Sequence, residues 1–304
     1  MNCEILKLCN SLPVPQTRRS FLALGAAGFV SAARPVFARR LVAQAPAFKV
    51  GVTDWNLRKE ANPESFALAK RLGFDGVQVS LAGGRGKDRA PISSEVVQRY
   101  LAESRQHGLP MTSTCLNILH TNYLKSDPLG PQRVSEGIAL TKALGLEVML
   151  LPFFGDGAMK TPAEMDRVGD LLRELGPDAQ KARVILGLED TISARDNVRI
   201  MERSKSPAVL TYYDVGNSTG NGFAVVDEIR WLGRERICEV HLKDNPHFMG
   251  QGSIDFPAII DALADLQFKR WAVLETSARA DSLEDDLRKN LAYTRNLIAA
   301  RAKA

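Results

Sequence analysis

The chain has 304 residues, of which 45% are hydrophobic and 7% aromatic, so it is long enough to bury a large core. No stretch approaches the ~20 consecutive apolar residues that a membrane span requires, and no stable membrane anchor is expected. The formal net charge of +5 arises in residues 1–45, because the rest of the chain is formally neutral, which argues against a nucleic-acid partner.

The first predicted element is an export signal within residues 1–45. Thr17-Arg18-Arg19-Ser20-Phe21-Leu22 is a twin-arginine pattern, and a weakly hydrophobic run rich in Gly and Ala follows it. Small residues suited to cleavage end at Ala38 and at Ala45. This order predicts a periplasmic or otherwise exported protein whose folded domain spans residues 46–304. An ordinary amphipathic N-terminal helix is the alternative.

From residue 47 onward, short apolar runs alternate with amphipathic helical stretches. The predicted strands are Phe48–Thr53, Gly76–Ser80, Pro110–Leu116, Glu147–Pro152, Val184–Glu189, Val209–Asp214, Ile237–Leu242 and Trp271–Glu275. The predicted helices are Pro63–Leu72, Ser93–His107, Gln132–Leu144, Ala163–Gln180, Ala194–Arg203, Phe223–Leu232, Phe256–Leu266 and Leu283–Arg301. Eight regularly spaced βα units predict an α/β fold, a single-domain (β/α)8 TIM barrel, in preference to an open doubly wound sheet.

Two of the four cysteines lie in these apolar strands. We expect Cys115 and Cys238 to be buried free thiols, and a disulfide between them is the alternative. The run Gly83-Gly84-Arg85-Gly86-Lys87 has neither the spacing nor the following Ser or Thr of a phosphate-binding loop, which favours a mobile lid instead.

Polar residues mark the ends of the last four predicted strands. Glu189, Asp214, His241 and Glu275 each occupy such a position, and the carboxyl ends of the strands of a barrel meet at one mouth. Three carboxylates and one imidazole suit a hard or borderline divalent cation, so one Mn²⁺ ion is predicted, with Mg²⁺ or Co²⁺ as alternatives. The other interpretation of each acid is a helix cap or a partner for a surface Arg.

These motifs, in this order, resemble the sugar phosphate isomerase/epimerase superfamily of xylose isomerase-like barrels. The matching pieces are Gly73-Phe74-Asp75-Gly76-Val77, Leu188-Glu189-Asp190, Asp214-Val215-Gly216-Asn217, Val240-His241-Leu242-Lys243-Asp244, Gly250-Gln251-Gly252-Ser253-Ile254-Asp255-Phe256 and Leu274-Glu275. The resemblance implies that Glu189, Asp214, His241 and Glu275 bind the metal, and that Glu189 and Glu275 also move protons. Such glutamates could take a proton from one face of an enediolate and return it to the other.

Two positions depart from the ketose 3-epimerases that the chain resembles. Asn217 stands where those enzymes have His, and His247 stands where they have Arg; both positions handle substrate hydroxyls. Three further residues are candidates for substrate contacts. Trp55 could form a wall for a sugar ring or simply pack, His120 could bind or protonate substrate or be a solvated loop residue, and Lys243 could steady an enolate oxygen or pair with Asp244.

The leading function is a metal-dependent isomerase or epimerase acting on a neutral sugar or keto-sugar, a small-molecule carbohydrate. The alternatives are a lyase or dehydratase acting on an oxidised sugar, glycoside or inositol, and a barrel that only binds sugar. The endonuclease branch of the superfamily is disfavoured, because its metal cluster needs several additional histidines and this chain has four in all. A homo-oligomer is compatible with the sequence.

Overall fold

The computed structural model describes residues 49–84 and 86–301, so the predicted export signal lies outside the described residues. Eight strands form the barrel, as follows: β1 Val50–Thr53, β2 Gly76–Ser80, β3 Met111–Cys115, β4 Val148–Pro152, β5 Ile185–Glu189, β6 Val209–Asp214, β7 Ile237–Leu242 and β8 Ala272–Leu274. Each strand pairs in parallel with the next in the chain, and β1 pairs with β8. The predicted closed (β/α)8 barrel is therefore confirmed.

The described helices cover the outside of the barrel. They are α1 Ser65–Leu72, α2 Ser94–His107, α3 Gly130–Ala143, α4 Pro162–Ala182, α5 Ala194–Ser204, α6 Val215–Gly220, α7 Val225–Leu232, α8 Phe256–Asp265 and α9 Leu283–Arg301. Side-chain caps and a glycine with positive φ set where several of these helices begin and end. The Ser93 and Ser193 side chains cap the first turns of α2 and α5, and Gly73 ends α1 in the left-handed region at φ 91°. Among these described helices, none has the length and apolar character needed to cross a membrane.

Several short local elements were not predicted. The stretch interpreted as a mobile lid contains a short antiparallel pair, Ala82–Gly83 with Ala90–Pro91, and a 3₁₀ turn at Gly86–Asp88. The six-residue helix α6 begins directly after β6, because the Asp214 side chain accepts a hydrogen bond from the backbone N–H of Asn217 and so caps its first turn.

Alternation along the strands divides the core into two parts. Met149 and Leu151 of β4 pack in the large cluster between barrel and helices, whereas Val148 and Leu150 belong to a small cluster inside the barrel. That inner cluster also holds Tyr212 and the cysteines Cys115 and Cys238. Both cysteines are buried free thiols, as predicted, and burial raises the pKa of each.

Candidate metal centre

The barrel brings the four predicted metal ligands together at the carboxyl end of its strands. Glu189 and Asp214 are the last residues of β5 and β6, His241 is the penultimate residue of β7, and Glu275 directly follows β8. One potential ligand atom from each side chain lies within 4.8 Å of the others. Glu189, Asp214 and His241 are buried, whereas the side chain of Glu275 is 22% exposed and faces the mouth. The centre is thus open on the Glu275 side.

The imidazole of His241 lies at the middle of this cluster. Its Nδ1 is 2.8 Å from Glu189 Oε1, 3.6 Å from Asp214 Oδ2 and 3.6 Å from Glu275 Oε2. Burial by itself would lower the pKa of His241, but the Glu189 and Asp214 carboxylates outweigh burial and raise the pKa to about 10. Burial raises the pKa of Glu189 to about 7, against the opposing effect of His241. His241 is therefore a positively charged imidazolium at the point where the potential metal-ligand atoms converge.

Lys243 supplies a second cation to the same cluster. Its Nζ lies 2.8 Å from Asp214 Oδ2 and 2.6 Å from Glu275 Oε2. The alternative pairing with Asp244 is therefore wrong, because the Asp244 carboxylate accepts hydrogen bonds from the backbone N–H groups of Gly250 and Gly252 instead. Although burial disfavours an ammonium, Asp214 and Glu275 raise the pKa of Lys243. These contacts keep Lys243 positively charged beside two predicted ligands.

Gly216 makes this position of Lys243 possible. A Cβ at Gly216 would collide with Cγ of Lys243 and would also lie close to its Cε. The absence of a side chain in the Asp-Val-Gly-Asn motif therefore leaves a channel along which the lysine stem reaches the carboxylates.

The donor set fits one divalent cation. Three carboxylates and one imidazole are ligands that Mn²⁺, Mg²⁺ and Co²⁺ accept, and their donor atoms already converge. An imidazolium and an ammonium balance only two of the three carboxylate charges in this cluster. A divalent ion can take the place of the proton that His241 Nδ1 shares with Glu189. Glu189, Asp214, His241 and Glu275 are the residues that would hold it.

A cavity of about 480 Å³ adjoins the centre next to Lys243. It contains Asn217 and His247, the two positions at which the sequence departs from the ketose 3-epimerases. The Nδ2 atom of Asn217 is buried and has no hydrogen-bond partner among the residues that the structure describes, which leaves it available to an acceptor. The polar side chains that line the cavity are Asn217, Thr219, Lys243, Asp244, Asn245, His247 and Ser253. The cavity therefore offers many hydrogen-bonding groups near the cluster.

The pattern of the family described as "Xylose isomerase-like TIM barrel" matches residues 66–297. The chain belongs to this family. It is 26% identical over 260 residues to Escherichia coli K12 SgbU, named as a candidate L-ribulose-5-phosphate 3-epimerase, covering 75% of this chain and 88% of SgbU. It is 23% identical over 277 residues to 3-dehydro-D-guloside 4-epimerase of the same organism, covering 81% and 99%. The D-psicose 3-epimerase structure from Clostridium cellulolyticum H10 has a TM-score of 0.69 at 16% identity, covering 83% and 99%.

In this member of the family, Trp55 and His120 lie at the same mouth but in different settings. Trp55 follows β1, and its Nε1 donates a hydrogen bond of 2.9 Å to Glu275 Oε1. The Trp55 ring also meets His241 edge-on, with centroids 6.0 Å apart. His120 ends the turn after β3 and stacks on Phe154, with centroids 6.2 Å apart. Trp55 therefore touches the cluster itself, whereas His120 has no hydrogen bond to the four predicted ligands.

The sequence interpretation missed a set of polar side chains beneath His241, inside the barrel. His241 Nε2 lies 2.8 Å from Gln78 Oε1, and Gln78 Nε2 donates to Ser113 Oγ and to Tyr212 OH, both at 3.1 Å. Both hydroxyls donate in turn to Glu239 Oε2, from Ser113 at 2.6 Å and from Tyr212 at 3.0 Å. The one available clue was a Gln and a Glu inside otherwise apolar strands.

Proposed function

We propose that this protein is a divalent-metal-dependent epimerase that inverts a carbon next to a carbonyl in a neutral sugar or keto-sugar. The observation that carries the proposal is the pair Glu189 and Glu275 in one cluster with Asp214 and His241. Relatives named as sugar 3- and 4-epimerases support the same class of reaction. Inversion needs one group that removes a proton and a second that supplies one from the other side, and two glutamates meet that need.

The two glutamates differ in how they are held. Glu189 Oε1 contacts His241, and its Oε2 has no hydrogen-bond partner among the described residues, so Oε2 is free to accept a proton from substrate carbon. Both oxygens of Glu275 are held, one by Trp55 and the other by Lys243. A bound divalent ion supplies positive charge that stabilises negative charge developing on a substrate oxygen. Lys243 adds a second positive charge to the same region.

The neighbouring cavity favours a neutral substrate over a sugar phosphate. The backbone N–H groups of Gly250 and Gly252 would suit an anion, but the buried Asp244 carboxylate already accepts from both. Among the described residues that line the cavity there is no Arg, and Lys243 is paired with two carboxylates. Amide and hydroxyl side chains such as Asn217 and Ser253 suit sugar hydroxyls.

The proposal includes Mn²⁺ as the metal and the periplasm as the location. The carboxylate-rich donor set supports Mn²⁺, with Mg²⁺ and Co²⁺ as alternatives. The twin-arginine pattern at Arg18 and Arg19 supports export. The paired change Arg18→Lys and Arg19→Lys is expected to keep the protein in the cytoplasm. Cell fractionation measures this, and normal export of the double variant would refute the proposed signal.

The decisive experiment is a product analysis with the metal-loaded protein. Neutral ketoses and 3-keto-glycosides are incubated with enzyme in D₂O and followed by NMR. An epimerase yields a product of unchanged formula with deuterium at the inverted carbon, whereas the alternative lyase releases a leaving group. Asn217 and His247 replace residues typical of ketose 3-epimerases, and this difference favours the lyase. Binding of the sugars without deuterium uptake would contradict both enzymatic functions.

A further inference from the structure

In the hydrogen bonds below His241, the donor and the acceptor of each bond are fixed. An ionised Glu239 carboxylate can only accept hydrogen bonds, and each hydroxyl has a single hydrogen, so with Glu239 ionised Ser113 and Tyr212 both direct theirs to Glu239 Oε2. The contact of 3.3 Å between the hydroxyls of Ser113 and Thr112 does not alter this, because the contact with Glu239 is much shorter. Ser113 and Tyr212 therefore have only oxygen lone pairs left to face Gln78.

Gln78 must consequently present its amide nitrogen to the two hydroxyls. Its Nε2 lies 3.1 Å from both hydroxyl oxygens, and its Oε1 is thereby turned towards His241 Nε2 at 2.8 Å. An oxygen at that place accepts a hydrogen bond, so Nε2 of His241 must carry a hydrogen. In a neutral imidazole with its hydrogen on Nε2, the lone pair lies on Nδ1, the atom that faces the three carboxylates.

We propose that Gln78, Ser113, Tyr212 and Glu239 are positioning residues that fix His241 as an Nδ1 metal ligand. This inference rests on the metal centre of the proposed function. All four side chains are at most 2% exposed, so water does not compete for their hydrogen bonds. Glu239 sets the direction of the whole chain of hydrogen bonds without touching His241, and Gln78 transmits that direction to the ring.

Gln78→Leu removes the acceptor opposite Nε2 while keeping a side chain of similar size. Loss of such a partner to a metal-bound histidine typically costs 10- to 100-fold in metal affinity, and that range is expected here. Calorimetric titration of the full-length, metal-free protein with Mn²⁺ measures the affinity. Thr114→Val is the matched control, because it removes a buried hydroxyl on the neighbouring strand β3, next to Ser113, that contacts Thr141 of α3 instead. The control is expected to bind Mn²⁺ as the wild type does.

Exchanging the two side chains gives a sharper test. Glu239→Gln alone can donate as well as accept, so it no longer dictates how the hydroxyls and Gln78 turn, and Mn²⁺ affinity should fall. Gln78→Glu alone buries a second carboxylate beside the first and leaves two acceptors competing for two hydroxyl hydrogens. In the double variant Gln78→Glu/Glu239→Gln, the new carboxylate accepts from His241 and from both hydroxyls, while the new amide donates to the two hydroxyl oxygens. The Mn²⁺ affinity of the double variant should return to within a few-fold of the wild-type value. If the two side chains acted through packing alone, no such recovery would be expected.

The tautomer of His241 is a direct measurement, because it would not change if the four positioning residues only filled space. With Zn²⁺ as a diamagnetic probe, ¹⁵N–¹H NMR of the His241 ring should show hydrogen on Nε2 and metal on Nδ1 in the wild type. Glu239→Gln should show a mixture or weaker Nδ1 binding. Wild-type affinity in Gln78→Leu, or an unchanged tautomer and affinity in Glu239→Gln, would overturn the inference. His241→Ala separates the two proposals: if that variant binds Mn²⁺ normally, the metal centre itself is wrong.

Discussion

Trp55 Nε1 donates a hydrogen bond of 2.9 Å to Glu275 Oε1, which joins the loop after β1 to a proton-transfer candidate 220 residues further along the chain. The other oxygen of Glu275 lies 2.6 Å from Lys243 Nζ, so the carboxylate is held from two sides. Trp55→Phe keeps an aromatic ring and removes only the donor. We expect turnover to fall about tenfold, with a smaller change in metal affinity, because Glu275 loses its orientation.

Trp271→Phe is the matched control for this change. Trp271 directly precedes β8, at the opposite end of the barrel, where Lys49 lies over its ring. Steady-state kinetics on the substrate found by the product analysis compare the two variants. Equal losses in both would mean that the effect of Trp55→Phe reflects a general loss of packing.

The second prediction separates metal binding from proton transfer. Glu189→Gln and Glu275→Gln each keep a carbonyl oxygen that can ligate, but neither amide can act as a base. Partial metal occupancy should therefore remain while turnover falls on the order of 10²–10⁴-fold. Elemental analysis gives the occupancy, and NMR in D₂O gives the proton exchange.

The half-reactions make this prediction more specific. If each glutamate serves one face of the substrate carbon, one variant should still exchange the proton of one epimer with solvent while failing to convert it. Near wild-type turnover in both metal-loaded variants would disprove the two-glutamate mechanism. His120 or Lys243 would then be the better candidate for the base.

The third prediction concerns Gly216 and Lys243. Because a Cβ at Gly216 collides with the Lys243 stem, Gly216→Ala should displace the ammonium from Asp214 and Glu275. Lys243→Met removes the same charge directly. Both changes should raise Mn²⁺ affinity by about tenfold or more, because a competing positive charge leaves the cluster. Both should lower turnover, since Lys243 also lines the adjoining cavity.

Gly220→Ala is the control, because a Cβ at that position meets no described atom within 4 Å beyond its chain neighbours and its own helix backbone. Calorimetric titration with Mn²⁺ measures all three variants. Unchanged or weaker Mn²⁺ binding in Lys243→Met would show that the ammonium does not compete with the metal.

Much of the fold followed from the sequence because a parallel barrel repeats one pattern eight times. Apolar runs such as Val148–Leu151 fix the strands, and helix ends such as Gly73 follow from a local need for positive φ. The four metal ligands could be predicted for the same reason, since barrel topology alone gathers the strand ends into one mouth.

The side-chain contacts inside the barrel could not be predicted in this way. Whether Gln78 and Glu239 reach the same two hydroxyls depends on the stagger of the strands, and β6 and β7 pair with a register shift between Thr211 and Tyr212. Strand periodicity does not reveal such a shift. The partner of Lys243 was missed for a related reason, because neighbours in sequence suggested Asp244 whereas the space left by Gly216 directs the side chain to Asp214.

The last prediction concerns pH and the start of α4. Glu164 Oε1 accepts from Lys125 Nζ at 2.8 Å, and its Oε2 accepts from the backbone N–H groups of Lys160 and Thr161. Its hydrogen bond with Lys125, followed by that with the Lys160 backbone, lowers the pKa of Glu164 to about 2 from an ordinary value of 4.5. A depressed pKa in the folded state means that the ionised carboxylate stabilises the fold above about pH 4.5. That stabilisation is lost as pH falls towards 2.

Glu164→Gln should therefore lower the free energy of unfolding at pH 7 by about 1 kcal/mol, the usual size of a helix cap with a partly exposed ion pair. The difference from wild type should shrink steadily between pH 4.5 and pH 3, where the wild-type carboxylate begins to lose its advantage. Urea unfolding of the metal-free proteins at several pH values measures this and avoids the linkage between pH and metal binding. Glu174→Gln, on the exposed face of the same helix and in no ion pair with another described residue, should unfold as the wild type does throughout this series. A difference for Glu164→Gln that stays constant down to pH 3 would assign the effect to packing or helix propensity, and not to the charge of the carboxylate.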